Sequence, residues 1–119
     1  TTVELITAIV NDIGSEEMFT FQLDSLGEPG DLLIAISSSG ASPNIVRVLE
    51  LARAKGIRTI AMTGFAGAPS RHLADVSLHV DCQNYGVVED LHQSLMHILA
   101  QYTRHSHLDH PEKLGELKF

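Results

Sequence analysis

The sequence predicts an α/β fold of three layers, a parallel sheet flanked by helices, and three observations carry that prediction. An apolar run, Leu32 to Ile36, leads straight into the hydroxyl-rich loop Ser37-Ser38-Ser39-Gly40-Ala41-Ser42. A helical pattern comes next and then a second apolar run, Ile57 to Thr63. Strand, helix and strand in that order make a unit whose strands run parallel through a right-handed crossover. The patterned region closes on a long amphipathic helix, about Val87 to Arg104.

Residues Val3 to Val10, at the start of the chain, are apolar-rich and do not decide between strand and helix. Asn11-Asp12-Ile13-Gly14 has turn composition. Ser15 is placed to cap a helix with Glu16 and Glu17 in its first turn, where acids suit the dipole, and Phe19, Leu23 and Leu26 recur at i, i+4 and i+7. Gly27, Pro29 and Gly30 stop it. The continuous run Leu32 to Ile36 reads as a strand buried on both faces.

Ser42 stands at the next helix N-cap with Pro43 at the first helical position, where a missing N–H costs nothing. Ile45, Leu49 and Ala52 form one face of that helix, and Gly56 closes it. Gly64 to Pro69 is a loop at the same sheet edge as the serines, without a Walker A or dinucleotide glycine pattern. Ser70 to Ala74 has the pattern of a helical turn, and Val76, Leu78 and Val80 alternate as a short strand near the sheet's edge. In the last helix Val88, Leu91, Leu95, Ile98, Leu99 and Tyr102 form a core-facing stripe, with His92 at its boundary as a packing residue.

Composition narrows the function classes. A chain of 119 residues with 44% hydrophobic content buries one core, and its net charge of −7 without Lys or Arg clusters argues against nucleic acid or anionic membrane as partner. One cysteine, Cys82, makes no disulfide framework and fits a reducing, cytoplasmic compartment. No signal-peptide pattern or membrane-length apolar run occurs.

The chemistry concentrates at the serine loop. The N-terminus of a helix offers backbone N–H donors and a positive dipole end, and here four hydroxyls, those of Ser37, Ser38, Ser39 and Ser42, surround it. Such a cradle at the carboxyl end of a buried strand binds a phosphate or phosphosugar without basic side chains. On the last helix Glu89 and His97 point away from the apolar stripe and Asp90 is nearly in line with His97, so either acid is placed to partner the imidazole. About 12 Å of helix rise separates Glu89 from His97, and a metal held by these two needs further donors. His105, His107 and His110 read as a solvated tail, Met62, Phe65 and Tyr85 as packing residues, and Cys82 as a small hydrophobe.

With these residues in place, the chain resembles the sugar isomerase (SIS) domain, and within it the phosphoheptose isomerase group. The likeness runs from about Asn11 to Arg104. It rests on Asn11-Asp12, Gly30-Asp31 through Ser42, Ala54-Lys55-Gly56 with its following strand, Thr63-Gly64, and the last helix with His92 and His97. It implies an SIS-type, Rossmann-like domain over residues 1–104, lacking the N-terminal part, and a tail over 105–119. It also implies that Ser37, Ser38, Ser39 and Ser42 hold the sugar phosphate and that Asn11 and Asp12 contact the substrate.

His97 matches the family's histidine of acid/base chemistry, which in some members is a zinc ligand. Glu89 stands where the family usually has glutamine and joins His97 as catalytic and metal candidate. The family's Gly-Asn-Gly-Gly-Ser loop, and the helix after it with a histidine and a glutamate, do not occur in this sequence. The resemblance implies aldose–ketose isomerisation of sedoheptulose 7-phosphate or a related sugar phosphate, in a cytoplasmic homotetramer. A different class competes: a non-catalytic SIS module that binds a phosphosugar as a signal, or a partner such as a replication initiator.

Overall fold

The computed structural model describes residues 2–108. Helix α1 spans Val3–Asp12, a 3-10 turn Ser15–Glu17, α2 Thr20–Leu26, β1 Leu32–Ser37 and α3 Pro43–Ala54. Then come β2 Arg58–Thr63, α4 Ser70–Leu73, β3 Val76–His79 and α5 Tyr85–Ser106. The three strands form one parallel sheet in the order β1-β2-β3, so β3 is an edge strand as its short alternating pattern predicts. No helix among the described residues is long and apolar enough to cross a membrane.

The undecided N-terminal segment is a helix. Thr2 caps it by accepting from the Leu5 N–H, and Asn11 and Asp12 extend it as its last turn instead of forming a separate one. Ser15 does not cap a helix. Gly14 takes the N-cap position with no side-chain bond, Ser15 opens the 3-10 turn, and Phe19 precedes a separate α2. This acidic turn is tied down instead by Arg47 of α3, which pairs with both Glu16 and Glu17. Thr20 donates to Glu17 and, with Arg47, holds that carboxyl below the usual range.

The core lies between one sheet face and α3. Ala35, Leu49 and Ala61 are buried there, with Leu33, Ile45, Leu73 and Ala74 packed around them. Two sequence expectations fail on the other side. Strand β1 is not buried on both faces, for Leu32, Ile34 and Ile36 are exposed. The stripe on α5 is not core-facing along its length: Val88 and His92 are buried, but Leu91, Ile98 and Tyr102 stand exposed at 44%, 61% and 71%. One cause covers both corrections. Among the described residues α3 packs on the β1 face that carries Leu33 and Ala35, no helix makes a comparable contact with the other face, and α5 buries Val88 and His92 alone. An open apolar groove between α2 and β1, with Leu26 exposed at its rim, continues the same bare surface.

The α5 helix also runs past its expected end to Ser106, so His105 is helical, and His107 folds back onto the Thr103 carbonyl oxygen at 2.7 Å. His110 lies outside the described residues.

The start of β3 is fixed to β2 by Asp75. Its carboxylate accepts from the Thr59 N–H at 2.8 Å and the Thr59 hydroxyl at 2.9 Å. The Thr59 backbone bond, then the hydroxyl, hold the Asp75 carboxyl below its ordinary value of 3.8. A carboxyl lowered by folding contributes stability that is complete above its unfolded pKa and is lost as pH falls through the folded one. Asp75→Asn is expected to lower the melting temperature at neutral pH and to flatten the further loss below about pH 4. Thermal melts across that range check it; parallel curves for variant and wild type would contradict it.

Candidate functional site

The serine loop sits at the carboxyl end of β1, where open α/β sheets bind ligands. Ser37 closes the strand and is buried. Its hydroxyl accepts from the Gly40 N–H at 3.2 Å, and its carbonyl accepts the same N–H at 3.1 Å. The Ser39 hydroxyl accepts from the Ala41 N–H at 3.2 Å. Ser42 occupies the N-cap of α3, as the sequence predicts, yet its side chain makes no capping bond. Its Oγ lies 3.5 Å from Ser37 Oγ.

A second loop, residues 64–69, holds the first. Gly64 N–H donates to the Ser38 carbonyl at 2.8 Å and Ser70 N–H to the Gly40 carbonyl at 3.0 Å. Gly40 adopts φ +71°, and a Cβ there would stand 2.1 Å from the Gly67 carbonyl oxygen, so only glycine lets the loops meet. The same contact organises α5. A Cβ on Gly64 would stand 2.5 Å from Val88, and Phe65, at φ 51°, lays its ring 4.5 Å from that of Tyr85. Asn84 caps the helix by accepting from the Val87 N–H.

With α5 seated in this way, Glu89 reaches the cradle. Its Oε1 accepts from Ser38 Oγ at 3.3 Å, joining residues far apart in sequence. The four serines thus share one loop, with the Ser37 and Ser42 hydroxyls side by side and Glu89 bonded to Ser38. His97 does not join them. It is exposed, with its Nε2 3.3 Å from Gln93 Nε2, and about 12 Å of helix rise separates it from Glu89.

Asn11 and Asp12 bond each other at 2.8 Å on the exposed end of α1, which packs on the 3-10 turn. No bond joins either side chain to the serine loop among those the structure shows. Among the described residues no three His, Cys, Asp or Glu side chains converge as a metal site requires. Glu89 and His97 do not by themselves fit a zinc ion.

Sequence reasoning passed over Thr63, His79 and Ser70, which stand behind the cradle. Ser70 and His92 are buried, and neither the Ser70 hydroxyl nor the two His92 ring nitrogens have a hydrogen-bond partner. The signal for Thr63 and His79 was positional, a polar side chain at the carboxyl end of each of two strands, whereas Ser70 opens α4 and carried no such mark.

Gly40→Ala tests the loop contact. Left-handed strain of about 1–2 kcal/mol and overpacking of about 1–3 kcal/mol act together, so urea unfolding is expected to show a loss of at least about 2 kcal/mol. Unchanged stability would contradict the geometry.

Comparisons with known proteins show the family of the chain. The SIS domain family model matches residues 1–64. A phosphoheptose isomerase of Nitratidesulfovibrio vulgaris is 44% identical over 101 residues, covering 85% of this chain and 49% of that protein. That of Akkermansia muciniphila is 38% identical over 97 residues, covering 82% and 51%. The solved phosphoheptose isomerase of Neisseria gonorrhoeae superimposes with a TM-score of 0.79 at 33% identity, covering 82% of this chain and 56% of that one. The Francisella tularensis enzyme gives 0.78 at 32% identity, covering 82% and 52%. The chain thus spans about half the length of the curated relatives it matches.

Proposed function

We propose, from the premise that the chain belongs to the SIS domain family, that it forms the phosphate-holding part of a phosphosugar aldose–ketose isomerase. The substrate is sedoheptulose 7-phosphate or a close relative. The observation that carries this reading is the cluster of four serine hydroxyls at a helix N-terminus with the Glu89 carboxylate bonded to its edge. Similarity to proteins named phosphoheptose isomerase supports the substrate class.

In this reading the phosphate meets hydroxyls and helix N–H groups that are already oriented, so it binds without lysine or arginine. Binding energy from the phosphate then positions the sugar's far end, where a proton moves between adjacent carbons through an enediol. Glu89, beside Ser38, orients or exchanges protons with a sugar hydroxyl. His97 supplies acid/base chemistry from the same helix, and its exposed face meets a neighbouring subunit of a homotetramer in the cytoplasm. The exposed Leu91, Ile98 and Tyr102 favour such an assembly, because apolar side chains of that size gain by being covered. Asn11 and Asp12 approach the sugar from the end of α1.

A second reading, a phosphosugar-binding module without turnover, is favoured by the separation of His97 from the cradle. Two variants of the intact protein distinguish them. Ser42→Ala is expected to weaken sedoheptulose 7-phosphate binding by about 1.5–3 kcal/mol, the value of a hydrogen bond to a charged group. His97→Ala is expected to cut turnover about 100- to 10,000-fold while binding persists. Calorimetry and a coupled isomerase assay read the two effects. Tight binding by a wild type that turns over no sugar phosphate would replace the enzyme by the binding module.

A further inference from the structure

The register of the sheet lines up three polar residues at its carboxyl edge. Ser37 pairs with Thr63 across β1 and β2, and Thr63 pairs with His79 across β2 and β3. Side chains opposite one another in a parallel pair share a face, so the three stand in one row beneath the loops. Thr63 is fully buried, and its Oγ1 lies 3.0 Å from His79 Nδ1, a hydrogen bond between the ends of two strands.

The turn at Gly67 rests on that bond. Gly67 adopts φ +70°, and a Cβ there would stand 2.9 Å from both His79 Nδ1 and Thr63 Oγ1. Its carbonyl oxygen in turn abuts Gly40 of the serine loop, and the Arg71 N–H fixes that carbonyl at 2.8 Å. Two props therefore converge on Gly40. Ser37 holds its N–H directly, while His79 and Thr63 support it through Gly67.

We propose that His79 is a positioning residue for the phosphate cradle, acting through the Thr63 hydroxyl and the Gly67 turn on Gly40. The proposal rests on the serine loop's being the phosphate site. An apolar side chain at 79 would fill the same space, but the Thr63 hydroxyl would lose its partner in a buried place and the turn above it would lose its fixed floor. The loop N–H groups and hydroxyls that face the ligand keep their aim only while Gly40 stays put. Such preorganisation is what makes a cradle without lysine or arginine bind.

The test compares His79→Leu, which fills the space, with His79→Asn, which restores a polar atom near the position of Nδ1. In ligand-free protein His79→Leu is expected to speed hydrogen exchange at the Gly40 and Ser70 amides by about tenfold, as local opening becomes easier. Calorimetry with inorganic phosphate and with sedoheptulose 7-phosphate is expected to show about tenfold weaker binding for His79→Leu and wild-type affinity within about threefold for His79→Asn. If His79→Leu does not fold, Thr63→Val removes the other half of the bond without changing shape and is expected to give the same losses.

If both variants fold, combining them adds little, because they break one interaction. A lower melting temperature with unchanged exchange and affinity would overturn the proposal and leave His79 a packing residue. Faster exchange with unchanged affinity would overturn it as well. A wild type that binds neither probe overturns the phosphate site itself, and the exchange data still decide whether His79 holds the loop.

Discussion

Two backbone bonds, Gly64 N–H to the Ser38 carbonyl and Ser70 N–H to the Gly40 carbonyl, hold the serine loop against its neighbour. Much of what the site does depends on them. A loop at a strand end has carbonyls to satisfy and no ladder to satisfy them. Here the adjacent loop and the first residue of α4 take up two of them. Glycine at 40 is the steric condition for this arrangement, since a methyl group there would occupy the place of the Gly67 carbonyl. The same second loop receives Val88 on Gly64 and Tyr85 on Phe65, and so the position of α5 and of Glu89 depends on the clamp as well.

A phosphate site at the serine loop, as proposed, would rest on hydroxyls and backbone rather than on charge. The chain carries a net charge of −7, and Glu89 lies 3.3 Å from a cradle hydroxyl. A dianionic phosphate approaching such a surface gains nothing from the overall field. Local donors at a helix N-terminus act over a few ångströms, where fixed dipoles outweigh distant charges. On the proposed reading, binding is sensitive to the aim of each donor, so the props beneath the loop count alongside the serines.

The sequence made the strands, the parallel order, the serine loop and the N-cap at Ser42 legible, because each is a local pattern: an apolar run, a hydroxyl cluster, a proline at the first helical position. It misjudged faces. Leu32, Ile34 and Ile36 have the composition of a strand buried twice over, and the spacing of Leu91, Ile98 and Tyr102 is that of a helix against a core. Periodicity identifies which side chains share a face and is silent about what covers it, and among the described residues nothing covers these. The Ser15 cap failed because the Arg47 pairs with Glu16 and Glu17 anchor that turn by a contact remote in sequence. Likewise the row Ser37, Thr63 and His79 depends on strand register, which three separated residues do not announce.

The proposed function stands or falls on phosphate binding at the clamped serine loop. An amide chemical-shift titration of the protein with sedoheptulose 7-phosphate tests it most directly, since every backbone N–H reports separately on where the ligand sits. Saturable shifts confined to residues 37–46 and 64–70 are expected, with the start of α5 around Glu89 responding alongside. Shifts centred on the apolar groove between α2 and β1, or none at saturating ligand, would contradict it.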